Sequence, residues 1–406
     1  MDGGEKRARV GSGLVGLVDQ GVSSATNLLA VLAVAASLNA AGFGVFSVVY
    51  GGLTLALGLG RSYLGMPIAL ENPQGEQRRR AYDGGFTLIL VAALPLAAVL
   101  SLLGWAVAAG HDLAWIGLFV AAATPLVVAQ DLGRFEAVAQ GRPWLALASD
   151  AVWLIGAAAL WAFRDALSTS GVLWIWLLTI AVAAVLVTVP LRPRWDGSRA
   201  LLLLKPGRGA RESASIAVLL SAGGSMIVGL IVAAGFGPAG AGALRGAGTL
   251  MGVVNTLIAF LDFGVLIRLA KRPRSDDGRA LGLMLLAYLV VLGVWTAVLL
   301  LLPTSWGELI LGDTWTGTRA ILPITAVEYV ALISIAVLGI YCKLRDRALP
   351  ILVGKVSSTA VLLGGSLVVV AVGAAFVWIP IGMVGAAVIG LIVMIASIRK
   401  GRTAQL

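Results

Sequence analysis

RPRWDGSRALLLLKPGRGARE, residues 192–212, lies at the middle of a 406-residue chain and carries six of its 30 Lys and Arg residues. Apolar runs of membrane length stand on both sides of it. Working outward, basic segments recur at 78–80 and 134–142 on one side and at 268–279 and 343–355 on the other. The two ends, 6–9 and 399–402, are basic as well, so that 26 of the 30 basic residues fall in seven segments. The alternate connections hold only Arg164 and Arg319, while Arg61 and Arg245 lie inside apolar runs. Basic residues resist translocation and stay on the cytoplasmic side. The alternation therefore predicts twelve membrane helices with both termini in the cytoplasm, in the cell membrane.

Runs long enough to cross ~30 Å of hydrocarbon at 1.5 Å per residue place the helices at 14–36, 43–70, 84–109, 113–130, 144–163 and 172–191, then at 213–235, 244–267, 280–302, 320–342, 350–372 and 375–398. The first run is too long for the apolar core of a signal peptide and reads as a membrane helix. The fourth is short. Pro67, Pro95 and Pro125 fall inside spans, where neighbours must satisfy the freed carbonyls. The division is an N-terminal six-helix lobe (1–191), a basic cytoplasmic linker (192–212) and a C-terminal six-helix lobe (213–406).

Composition agrees with this reading. Hydrophobic residues make up 59% and charged residues 12% of the chain, and the mean hydropathy is +0.97, far from a soluble protein. The formal charge of +10 sits at membrane edges, where it sets topology and meets anionic headgroups; a nucleic-acid partner is excluded. One cysteine, Cys342, and one histidine, His111, rule out an internal disulfide and deprive a metal site of its usual ligands. No cofactor is implied. Trp105, Trp115, Trp174, Trp306 and Trp315 fall near outer edges, as in an interfacial belt.

The halves also resemble each other. LAVAASLNAAGFG (32–44) and LIVAAGFGPAGAG (230–242) share seven of thirteen residues at an offset of 198. Each ends one helix and enters the next on the outer side. Six helices per half give the two lobes the same orientation, with a pseudo-two-fold axis along the membrane normal and a central cavity.

Charged groups within spans cost several kcal/mol and face a cavity or a partner. Asp19, Ser23, Thr26 and Asn27 form a stripe on the first helix, which either lines a water-filled cavity or bonds to a neighbouring helix. Arg61 is some nine residues inside the second helix; either it pairs with Asp19 or it binds an anionic substrate, for which its guanidinium fork suits phosphate. Arg245 is near the outer end of the eighth helix and Asp262 near its inner end, where it has Arg268 as a partner. Glu328 lies about one-third of the way into the tenth helix, with Arg319 as a distant partner. As a set, the arginines suit a pyrophosphate and the carboxylates Asp19, Asp262 and Glu328 suit exchange of H⁺ or Na⁺. Gly51, Gly52, Gly58 and Gly60, and likewise Gly246, Gly248 and Gly252, suit close helix contact or bending.

The opening GLVDQGVSSATNLLAVLAVAASLNAAGFGVFSVVY (16–50) resembles the first two helices of Wzx-type polysaccharide flippases, which belong to the multidrug/oligosaccharidyl-lipid/polysaccharide exporter superfamily. RFEAVAQGRPWLALASDAVW (134–153), GPAGAGALRGAGTLMGVVNTL (237–257) and LGDTWTGTRAILPITA (311–326) are similar to other parts of the same family. The resemblance implies a V-shaped pair of lobes around a cavity. It also implies a flippase that moves polyprenyl-pyrophosphate-linked oligosaccharide to the outer leaflet by alternating access, for cell-surface polysaccharide. On it, Arg61, Arg245, Asn27 and Asn255 are candidate substrate ligands. Membrane lipids, an H⁺ or Na⁺ counter-ion and glycan polymerases or glycosyltransferases are the implied partners. Lipid II flippases of this superfamily generally have fourteen helices, and this chain has twelve. The rivals are a cation-coupled multidrug exporter of the same superfamily and a polytopic glycan polymerase or ligase. The latter needs a long outer loop with reactive residues, whereas the loop around 303–318 offers only Glu308 and Asp313. The segment ENPQGEQRRRAYDGG (71–85) lacks the Gly-Asp-Arg-Gly-Arg pattern of major-facilitator transporters. A non-enzymatic transporter is the expectation.

Overall fold

Asn39 begins a well-buried helix: its side-chain oxygen accepts the Gly42 amide at 2.8 Å and satisfies one of the orphan donors of the first turn. The computed structural model describes residues 21–23, 25–70, 75–108, 113–205, 210–269, 277–345, 347 and 349–403. Among the described residues every regular element is a helix. The first half comprises α1 (Gly21–Ser37), α2 (Ala40–Ile68), α3 (Gly75–Val107), α4 (Ala114–Ala139), α5 (Pro143–Phe163) and α6 (Thr169–Leu191). A short linker helix, Gly197–Leu203, follows. The second half comprises α7 (210–236), α8 (238–269), α9 (Asp277–Leu301), α10 (Trp315–Lys343), α11 (Leu349–Ala371) and α12 (Trp378–Thr403).

Among the described residues ten helical stretches are long and apolar enough to cross a membrane. One of them, Ala214–Val254, is divided at Gly237, whose φ of 78° is open to glycine and which precedes Pro238. With the shorter apolar α1 the spans number twelve, and the chain is a multi-pass membrane protein. The helices divide between two compact units, 1–226 and 227–406.

Several boundaries differ from the hydropathy reading. The fourth helix is 26 residues long rather than short, and takes Asp131, Arg134 and Glu136 into its last turns. Likewise α3 begins at Gly75, so Arg78–Arg80 lie on a helix and not in a loop. Hydropathy stops at a charge, whereas the helix continues wherever the charges find partners. Pro67 has a visible effect on α2. A proline ring clashes with the carbonyl four residues before it, here Tyr63, and the chain widens into a π turn at Arg61–Gly65.

In the first unit Phe43, Phe46 and Trp176 are buried, with Phe46 of α2 and Trp176 of α6 edge to face at 5.8 Å. Small residues bring the helices together. A Cβ on Gly52 would lie 2.3 Å from Leu100 of α3, one on Gly60 2.8 Å from Val128 of α4, and one on Gly58 2.7 Å from Val218 of α7. Gly246 is similarly crowded by Thr318, but Gly248 and Gly252 have open space around them. In the second unit α11 and α12 cross where Gly354 faces the Gly390 carbonyl.

Trp315 departs from the expected interfacial belt. It is fully buried, packed on Gly307 of the short helix Thr304–Leu311. Trp105, Trp174 and Trp306 are exposed as a belt requires.

Candidate functional site

A group of buried polar and charged side chains lies toward the C-terminal end of α4. Gln130, Asp131, Arg134 and Glu136 are all buried there, a placement that is costly unless every charge is paired. Arg134 is the hub. It donates from Nη1 to Asp131 Oδ1 at 3.2 Å and to Ser23 Oγ of α1 at 3.3 Å, and its Nη2 is 3.0 Å from Asp150 Oδ2 of α5. Gln130 Nε2 donates to Asp150 Oδ1 at 2.8 Å and to Ser149 Oγ at 2.9 Å, and Ser149 donates to the Ala183 carbonyl of α6 at 2.7 Å.

Arg61 joins this network from the π turn of α2. Its Nε and Nη2 donate to Asp131 Oδ2 and Oδ1 at 2.9 and 2.8 Å, a bidentate fork. The carboxylate is 5% exposed but the arginine side chain 38%. The fork uses two of the guanidinium's five N–H donors. Arg61 is thus held in one orientation while a good part of it stays accessible. One network ties five helices of the first unit, and its two arginines balance its two aspartates.

A second group lies beyond it. Arg78 pairs with Glu136 at 3.4 Å and donates to the Ala139 carbonyl at 3.0 Å. Arg79 pairs with Asp83 at 3.1 Å and donates to the Leu191 and Arg192 carbonyls that end α6. Asp83 accepts the Arg194 amide and Thr87 Oγ1 the Asp196 amide, both at 2.9 Å. Tyr63 of α2 donates to the Leu203 carbonyl. The linker is therefore stapled along the first turns of α3.

Each residue singled out in the sequence has a definite place. Of the α1 stripe, Ser23 bonds to a neighbouring helix, whereas Thr26 and Asn27 donate to the Val22 and Ser23 carbonyls of their own helix. Asp19 lies outside the described residues, and so do the side chains of Asn255, Asp262 and Arg268 on α8. Arg245 is half-buried on α8 and Glu328 half-buried on α10, both in the second unit. Arg319 does not pair with Glu328; it donates to Thr304 Oγ1 at 2.8 Å. Among the described residues Glu328 makes no ion pair, and no cluster of His, Cys, Asp and Glu has the form of a metal site.

Sequence reasoning missed Asp131, Arg134 and Asp150. Two of them fell in a predicted loop, and the third stood about two turns inside the predicted helix 144–163. One available signal was the i,i+3 spacing of Asp131 and Arg134 directly after an apolar run, which continues a helix by internal pairing.

Neither a protein-family model nor a curated protein sequence matches this chain. Solved structures do match it in fold. The lipid II flippase MurJ in an inward closed conformation superposes with a TM-score of 0.73 at 11% identity, over 96% of this chain and 87% of that one. A multidrug resistance MATE family transporter of the MOP superfamily, inward-facing, gives 0.69 at 14% identity, over 95% and 96%. A eukaryotic MATE transporter gives 0.58 at 13% identity, over 95% and 93%. At these identities the likeness is one of architecture: the chain has the all-helical membrane fold shared by MATE transporters and the MurJ flippase.

Proposed function

We propose that this chain is a non-enzymatic transporter that flips a polyprenyl-pyrophosphate-linked oligosaccharide from the inner to the outer leaflet by alternating access. The observation that carries this reading is Arg61. It stands seven residues, or ~10 Å of helix, from the end of α2 at Ile68. It is oriented by a buried aspartate and still 38% exposed. A guanidinium fixed at that depth is suited to an anionic head, and the fold is one that a lipid flippase also uses. The head would reach Arg61 from the cytoplasmic side while the distal part of the polyprenyl chain stays in lipid. A membrane potential negative inside favours outward movement of an anion by ~2.3 kcal/mol per charge per 100 mV. Arg245, Asn27 and Asn255 are further candidate ligands, Asp19, Asp262 and Glu328 candidate coupling carboxylates, and glycan polymerases or glycosyltransferases candidate partners.

A cation-coupled multidrug exporter is the second reading. What favours it is Glu328, a half-buried carboxylate with no ion pair among the described residues, together with the MATE-like fold.

The test is leaflet-specific detection of lipid-linked oligosaccharide in cells depleted of this protein, with wild type and Arg61→Ala restored in parallel. The flippase reading expects precursor to accumulate on the inner leaflet, with rescue by wild type and not by a normally expressed Arg61→Ala. Precursor reaching the outer leaflet in depleted cells at the normal rate would favour drug export.

A further inference from the structure

Apart from the charged network, the first unit holds an apolar groove of about 510 Å³. One wall is α2 from Gly52 to Leu64, the opposite wall is α3 from Leu88 to Leu100, and Val128 of α4 lies alongside. Tyr63 and Ser215 alone among the lining residues carry a polar side-chain group, and both are engaged. Tyr63 donates to the Leu203 carbonyl, and Ser215 is hydrogen-bonded to Ser62 at 3.0 Å. A polar molecule would find no partner there, and water gains little in such a space. Hydrocarbon is what the groove can hold.

Its dimensions and ends narrow the choice. From Gly52 to Leu64, twelve rises along α2 span ~18 Å, slightly more than half of a ~30 Å hydrocarbon core. At the far end Leu100 rests on Gly52. The near end lies at the basic side, where Leu204 of the linker lines the groove and the next residue, Lys205, is exposed. Arg61 emerges from the same stretch of α2, between the lining residues Gly60 and Tyr63. The groove is a single channel beside a guanidinium. A diacyl phospholipid would bring a second chain with no wall to meet it, whereas a lipid with one chain joined directly to phosphate satisfies channel and cation together.

We propose that this groove binds the isoprenoid chain of the transported lipid, with its phosphate end toward Arg61 and Lys205. This rests on the flippase reading and adds to it a recognition site for the chain. Head and chain are then selected by one helix, α2, and the groove length counts only the isoprene units nearest the phosphate.

The experiment places the full-length protein in vesicles of phosphatidylcholine and phosphatidylglycerol. A long-chain polyprenyl phosphate bearing a diazirine near its phosphate end serves as probe. Labelling is expected at the near end of the groove, on residues 59–64 and 88–93, chased by unlabelled polyprenyl phosphate and not by an equal amount of added phosphatidylglycerol. The double variant Ala56→Phe/Ala92→Phe, which fills the channel, should lower labelling about tenfold, or roughly 1.4 kcal/mol, at an unchanged unfolding temperature. Labelling elsewhere, or a diazirine phospholipid that labels the same residues and is chased by phosphatidylglycerol, would overturn the proposal. Flipping that persists in the filled variant would also sink it and leave the flippase reading standing. Labelling as expected without any flipping would sink the flippase reading and leave the groove a prenyl-lipid site.

Discussion

At the scale of single residues, Arg134 is the position on which the charged network depends. It separates two buried aspartates, and neither Arg61 nor Gln130 can replace it. Arg61 reaches only Asp131, and Gln130 brings Asp150 no charge. Arg134→Met should lower the unfolding temperature in detergent, at a cost of about 3–5 kcal/mol for a buried charge left without its partner. Adding Asp150→Asn should recover most of the loss, because Arg61 and Asp131 remain as a balanced pair. A single variant as stable as wild type would remove the network from the account of folding. The depth of Arg61 was legible in the sequence, because an arginine inside an apolar run stands out. Its partner was not. Asp131 is 70 positions away, one residue past the end that hydropathy gives its helix and eight short of the true end at Ala139.

At the scale of elements, the linker helix shows how a short segment is held. Asp196 caps it, accepting the Arg199 amide at 2.9 Å and the Ser198 hydroxyl at 2.8 Å. These bonds, the backbone one foremost, hold its carboxyl below the ordinary carboxylate range. A lowered folded value means the cap is fully present above the unfolded Asp pKa of ~3.9 and is lost as pH falls through the folded one. Amide hydrogen exchange over 197–203 should therefore speed up in acid in the wild type. In Asp196→Asn, which still caps, it should not. Asp196→Ala should exchange fast at every pH, and equal protection in all three proteins would contradict this role. The existence of the twelve spans was legible from charge alternation, but the connection expected over 236–243 is only a break at Gly237 before Pro238. The helical extensions of α3 and α4 were not, because they depend on Arg78 finding Glu136 and Arg134 finding Asp150 across helices. The π turn before Pro67 lies between these cases: the proline marks strain, but its form depends on packing.

At the scale of the whole molecule, ten long apolar stretches, one of them split, and a shorter first helix make a twelve-helix membrane protein. Its fold is shared by proteins that move multidrug substrates and by one that moves lipid II. That fold was readable from the midpoint division and the resemblance of residues 16–50, since topology follows from where basic residues sit. The substrate was not, because architecture at 11–16% identity leaves the site chemistry free. The central claim is that Arg61 carries an anionic lipid head across the membrane. The most direct measurement is transbilayer movement of a polyprenyl-pyrophosphate-linked oligosaccharide in vesicles containing only the purified protein, compared with Arg61→Ala and Arg61→Lys. The account predicts movement by wild type, none by Arg61→Ala, and a reduced rate for Arg61→Lys, which keeps the charge and loses the fork to Asp131. Movement by Arg61→Ala at the wild-type rate would contradict it.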